Sequence, residues 1–84
     1  RQFSVYPSSG KILNVRTIAD NFIDMEGSIA VYNLSGQKLY EQPKVIWSGP
    51  NDIKQIHLGQ RSSGLILVEV RAGGLRYVKK VLIQ

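Results

Sequence analysis

Apolar positions along this chain come in short alternating runs, with turn residues falling roughly every eight to twelve positions, the rhythm of an antiparallel sandwich or barrel. Period-two alternation puts successive side chains on opposite faces, so each run reads as a strand with one buried face. Strands are predicted near Phe3–Tyr6, Ile12–Arg16, Ser28–Asn33, Gln37–Gln42, Lys44–Trp47, Asp52–Leu58, Leu65–Arg71 and Leu75–Ile83. No stretch keeps a helical period over about ten residues. Between Thr17 and Glu26, the spacing of Ile18, Phe22 and Met25 suits either one helical turn or an irregular strand.

The interruptions have physical causes. Pro7 has no amide hydrogen to donate and is followed by Ser8-Ser9-Gly10, so the first strand is expected to stop there. Ser35-Gly36 offers a positive-φ position between two alternating runs, the requirement of a tight hairpin. Residues 48–52 and 59–64 read as surface loops, and Gly36 and Gly64 as backbone requirements rather than contacts. Gly73-Gly74 is the strongest hairpin signal, with both residues free to take the positive φ of a type I′ turn.

A two-residue loop at Gly73-Gly74 sets Val70 opposite Tyr77, Val68 opposite Lys79 and Ile66 opposite Val81. One face then carries Ile66, Val68, Val70, Tyr77, Val81 and Ile83, a core face. The other carries Leu65, Leu67, Glu69, Arg71, Arg76, Val78, Lys80 and Leu82, polar beside the turn and apolar toward the last residue. Trp47 or Ile23 is the expected cover for that apolar end, with a partner or a neighbouring loop as the alternative.

With 84 residues, 43% hydrophobic and 20% charged, the composition is that of a single small globular domain. Such a domain buries only about 60% of its unfolded surface. Eleven Lys and Arg against six Asp and Glu give a net charge of +5, which favours anionic surfaces. The basic residues are scattered and nucleic-acid motifs are absent, so a dedicated nucleic-acid binder is not expected. The chain contains no cysteine, which removes disulfides and thiolate chemistry. Its apolar runs are too short for a membrane helix. A first residue of Arg rather than Met reads as a segment of a longer protein.

Catalytic and metal signals are weak. His57 is the only histidine, with Asp52, Ser62 and Ser63 nearby in sequence, but no strained nucleophile turn accompanies them. Asp20, Asp24 and Glu26 lack the spacing of a calcium loop. Asn33-Leu34-Ser35 matches the glycosylation triplet, to which a hairpin setting gives little weight. No catalytic residue, metal ligand or cofactor is expected. Trp47 and the tyrosines are the residues from which an adhesive or carbohydrate-binding platform would be built.

Three ordered blocks carry a family likeness. Val5-Tyr6-Pro7 runs into Leu13-Asn14-Val15; Ile29, Val31, Tyr32, Asn33, Gly36 and Leu39 follow in a strand and hairpin; then comes Ser63-Gly64-Leu65-Ile66-Leu67-Val68-Glu69-Val70, with Gly73-Gly74 and Lys79-Lys80-Val81-Leu82-Ile83-Gln84. In this order they resemble the type A C-terminal sorting domain of the type IX secretion system of Bacteroidetes. The likeness spans nearly the whole chain, with Ser8-Ser9 in place of an Asn-Pro half-motif and Ile66 where Tyr is usual.

The resemblance implies an all-β, immunoglobulin-like antiparallel sandwich of about seven strands that acts as a non-catalytic address for an attached cargo. It also implies recognition by the translocon at the outer membrane. In many family members a sortase-like cysteine protease then removes the domain as cargo is joined to anionic lipopolysaccharide; retention as an anchoring domain is the alternative fate. Strand chemistry adds that a final strand with an unpaired edge can be extended by a receptor strand, or by a second copy in a homodimer. Lys79, Lys80, Val81, Leu82, Ile83 and Gln84 are the expected recognition segment, the alternative for the two lysines being edge charges that discourage aggregation, with Pro7, Gly36, Gly64, Gly73 and Gly74 as structural turn positions.

Overall fold

The computed structural model describes residues 2–19, 22–59 and 63–84. Seven strands form: β1 (Phe3–Ser8), β2 (Ile12–Thr17), β3 (Met25–Asn33), β4 (Lys38–Trp47), β5 (Ile53–His57), β6 (Gly64–Ala72) and β7 (Leu75–Ile83). They pair into a three-stranded sheet of order β1-β2-β5 and a four-stranded sheet of order β4-β3-β6-β7. Every pairing is antiparallel. The chain changes sheet after β2, β4 and β5, the crossover habit of immunoglobulin-like sandwiches.

Alternation decides which side chains fill the space between the sheets. Phe3 and Val5 from β1, Leu13 and Val15 from β2, and Ile56 from β5 face Ile29 and Val31 from β3, Trp47 from β4, Ile66, Val68 and Val70 from β6, and Val81 and Ile83 from β7. Phe3 joins the layers. Its ring centroid lies 5.1 Å from those of Phe22 and Trp47 and 6.0 Å from that of Tyr77. Trp47 is fully buried, and its indole N–H donates to the Arg71 carbonyl at 3.0 Å, satisfying the one polar group that its burial would strand.

Several sequence expectations need correction. The stretches predicted separately at Gln37–Gln42 and Lys44–Trp47 are one ten-residue strand, β4. Its register against β3 shifts between Gly27 and Ile29 and again between Val31 and Tyr32, and Pro43 sits within the first irregularity. A proline is tolerated there because β4 is an edge strand and a bulge leaves a residue unpaired. Pro7 likewise does not end β1, which continues to Ser8 with Pro7 opposite Leu13. That strand is also an edge. Between Thr17 and Glu26 the described residues form no helix; Phe22 is buried in the core and Met25 opens β3.

The hairpin register was predicted pair for pair, since Val70 faces Tyr77, Val68 faces Lys79 and Ile66 faces Val81. Its turn type was not. Gly73 takes φ 57° while Gly74 is not in the positive-φ set, which matches a type II′ turn rather than type I′. Gly36 and Gly64 do adopt positive φ, at 89° and 83°. Gly27 lies inside β3 rather than in a turn. A Cβ there would overlap the Arg71 carbonyl and crowd the Trp47 indole nitrogen, so this strand glycine lets β3, β4 and β6 close together.

Candidate functional site

An unpaired strand edge is a row of hydrogen-bonding groups that another chain can use. Each sheet has two. β4 is broken by two register shifts and carries Pro43. β5 is only five residues long. β1 contains Pro7, and its Val5 carbonyl already accepts a hydrogen bond from the Lys79 ammonium at 3.0 Å. β7 has nine residues, no proline and an unbroken register with β6 from Gly64↔Ile83 to Ala72↔Leu75. Among the described residues it is the one long, regular edge with no second strand partner, with β1 lying beside it at the Lys79–Val5 bond.

Hairpin geometry fixes which backbone groups β7 offers. Ala72 and Leu75 flank the two-residue turn as a hydrogen-bonded pair, so alternation ties the odd-numbered residues of β7 to β6. Arg76, Val78, Lys80 and Leu82 then direct their N–H and C=O groups away from the sheet. Their side chains lie on the outer face, where Val78 is 45% and Leu82 51% exposed. Val81 and Ile83 point into the core.

The recognition segment predicted from the sequence thus divides by role. Val81 and Ile83 anchor the strand, Lys79 ties β7 across the sandwich opening to β1, and Lys80, Leu82 and Gln84 face outward. Leu82 and Gln84 also meet Pro7, Ser8 and Ser9 around an open groove of about 410 Å³. The first and last sequence blocks therefore come together at one end of the same seam, which no local pattern indicated.

Charge on the outer face is unevenly matched. Arg71 and Arg76 lie directly opposite one another, and Glu69 accepts hydrogen bonds from both. The hydrogen bond from Arg76 leads the effects that hold the Glu69 carboxyl below its ordinary value, burial opposing it and the nearby Arg71 charge adding to it. Lys79 and Lys80 have no carboxylate partner among the described residues. The apolar end formed by Leu65, Val78 and Leu82 stays open, since Trp47 is inside the core and Ile23 is 76% exposed. Among the described residues, neither Trp47 nor Ile23 covers it. For the same reason Trp47 offers no surface platform for a glycan.

Other candidates resolve into structural roles. Asp52 accepts from the Ser48 amide and pairs with Lys54, and His57 is exposed, so no triad is assembled among the described residues; Ser62 lies outside them. Asp24 accepts from the Ser48 hydroxyl, and Asp20 lies outside the described residues; no metal-holding cluster occurs among those described. Asn33 Oδ1 accepts from the Ser35 hydroxyl and from the amides of Ser35 and Gln37, organising the β3–β4 turn. Asn14 is buried and serves three strands: its amide donates to the Tyr6 carbonyl and the Ser8 hydroxyl, and its oxygen accepts from Gln55. The motif asparagines build the scaffold.

Comparison with known proteins agrees with this architecture. The family described as secretion system C-terminal sorting domain matches residues 4–84. The chain belongs to that family. It is a sorting domain of the type IX secretion system, a signal that carries an attached protein across the outer membrane to the cell surface or extracellular space. No curated protein and no solved structure matches the chain. The sorting family is not a catalytic one. No helix among the described residues is long and apolar enough to cross a membrane.

Proposed function

We propose that this domain is read by the type IX translocon through the free edge of β7, with Lys79 to Gln84 as the recognition segment. The observation that carries the reading is the contrast among edges: β1, β4 and β5 are short, bulged or interrupted by proline, while β7 is long, regular and paired on one side only. Strand addition gives affinity through main-chain hydrogen bonds, and alternate side chains supply selectivity. The domain is a single unit at the end of a longer exported protein. After passage through the periplasm and across the outer membrane, a sortase-like cysteine protease removes it as the cargo is joined to anionic lipopolysaccharide.

The test is a periplasm-targeted reporter fused to the domain in a strain with this secretion system. Truncation of Lys79–Gln84 would also strip Val81 and Ile83 from the core, so the decisive variant is Val78→Pro, which removes an outward-facing amide on an edge strand and leaves Val81 and Ile83 in place. Export to the surface is expected to fall sharply with the fold retained by circular dichroism. Full export of Val78→Pro would refute β7-edge recognition. Mass spectrometry of the surface protein reads out removal: the domain's peptides are expected to be absent from the mature cargo, and their persistence would indicate a retained anchor.

A further inference from the structure

We infer that the strand added to β7 is an acidic one: a partner segment whose pattern is apolar, any residue, acidic, acidic, apolar. This rests on the β7-edge reading and adds the chemistry of the occupant. Lys79 and Lys80 are adjacent in an extended strand, so their ammonium groups lie on opposite faces of the sheet. Neither is matched by a carboxylate among the described residues. A strand added antiparallel places two adjacent residues opposite this pair, also on opposite faces: an acid opposite Lys80 meets an exposed ammonium, and one opposite Lys79 adds an acceptor to an ammonium that also donates to the Val5 carbonyl. The positions opposite Val78 and Leu82 are apolar because those side chains are open to solvent on the outer face. The residue opposite Leu82 also borders the groove formed with Pro7, Ser8 and Ser9.

Charge argues equally against a second copy as the occupant. In the fullest antiparallel self-registers of β7, Lys79 meets Lys79, Lys80 meets Lys80, or Arg76 meets Lys80. Like charges directly opposite destabilise a strand pair. The antiparallel sense follows the chain's own pairings and the greater stability of antiparallel ladders.

The experiment titrates the 84-residue chain with three peptides and follows backbone amides by NMR and hydrogen exchange. The first is Val-Thr-Glu-Glu-Val-Thr-Thr, the second replaces both Glu with Lys, and the third keeps the acids but replaces the second Val with Pro. The first is expected to bind about tenfold tighter than the second, the sum of a few cross-strand charge pairs. It should slow exchange at Arg76, Val78, Lys80 and Leu82, whose amides face outward, well beyond any effect on Tyr77 and Val81. Lys80→Glu is expected to weaken or reverse the preference between the first two peptides.

Equal binding of the first and third peptides would reduce the effect to ion attraction and overturn the inference, as would protection at β1. Concentration-dependent protection of the same β7 amides without peptide would identify a second copy and overturn it too. Loss of export in Val78→Pro alongside equal affinity for acidic and basic peptides refutes the acidic partner while leaving the translocon reading intact. Acidic preference with full export of Val78→Pro refutes the translocon reading instead.

Discussion

Adjacent lysines on β7 illustrate how neighbouring residues of one type acquire different work. Lys79 is half-buried and donates to the Val5 carbonyl, whereas Lys80 is exposed and makes no bond within the described residues. Replacing Lys79 by Ala is therefore expected to cost about 1 kcal/mol, the net contribution of a typical hydrogen bond. Lys80→Ala should change stability by less than about 0.5 kcal/mol, as exposed substitutions do. Urea unfolding of the two variants checks this; equal losses would mean that the tether to β1 contributes nothing. The two residues were recognised in the sequence as facing opposite ways, because period two guarantees it. That one of them reaches the other sheet was not legible, since it depends on β1 lying beside β7.

The β6–β7 hairpin joins register to electrostatics at the level of the element. Its two-residue turn sets Arg71 opposite Arg76, an unfavourable pairing that Glu69 relieves by bonding both. The folded-state pKa of Glu69 is held below its ordinary value of 4.5, led by the Arg76 hydrogen bond. A depressed carboxyl pKa contributes stability that is complete above the unfolded value and lost as pH falls through the folded one. Stability is thus expected to decline as pH drops below about 4.5, more steeply in the native domain than in Glu69→Gln. Denaturant midpoints from pH 7 down to pH 3 provide the measurement, and parallel curves for the two proteins would contradict the assignment. The hairpin's register was readable because turn length dictates it, whereas the merging of two predicted stretches into β4 was not. Only the bulged pairing with β3 accommodates Pro43 within a continuous strand.

For the molecule as a whole, the core depends on a few large side chains that bridge two sheets without disulfide support. Phe3 is the clearest of these, packed against Phe22, Trp47 and Tyr77. Phe3→Ala is expected to cost about 3 to 5 kcal/mol. A domain of this length has a total stability of about 4 to 12 kcal/mol, so that loss leaves little or nothing. Trp47 fluorescence during urea unfolding should show a far lower midpoint, or no folded baseline at all; a shift of under about 1 kcal/mol would mean that the cavity collapses freely.

Alternation and turn chemistry are local properties, so the chain's own residues determined the all-β class, the inward faces of most strands and the register of the closing hairpin. They also placed Leu13, Val15, Ile29 and Val31 in their motif positions, all of them buried. The division into sheets of three and four strands, the burial of Trp47 and the meeting of Pro7 with Leu82 were decided only by tertiary packing. So was the identity of the free edge, because an edge is defined by the strand that is missing beside it, and adjacency between distant segments is set by how the two apolar faces close on each other rather than by any local pattern.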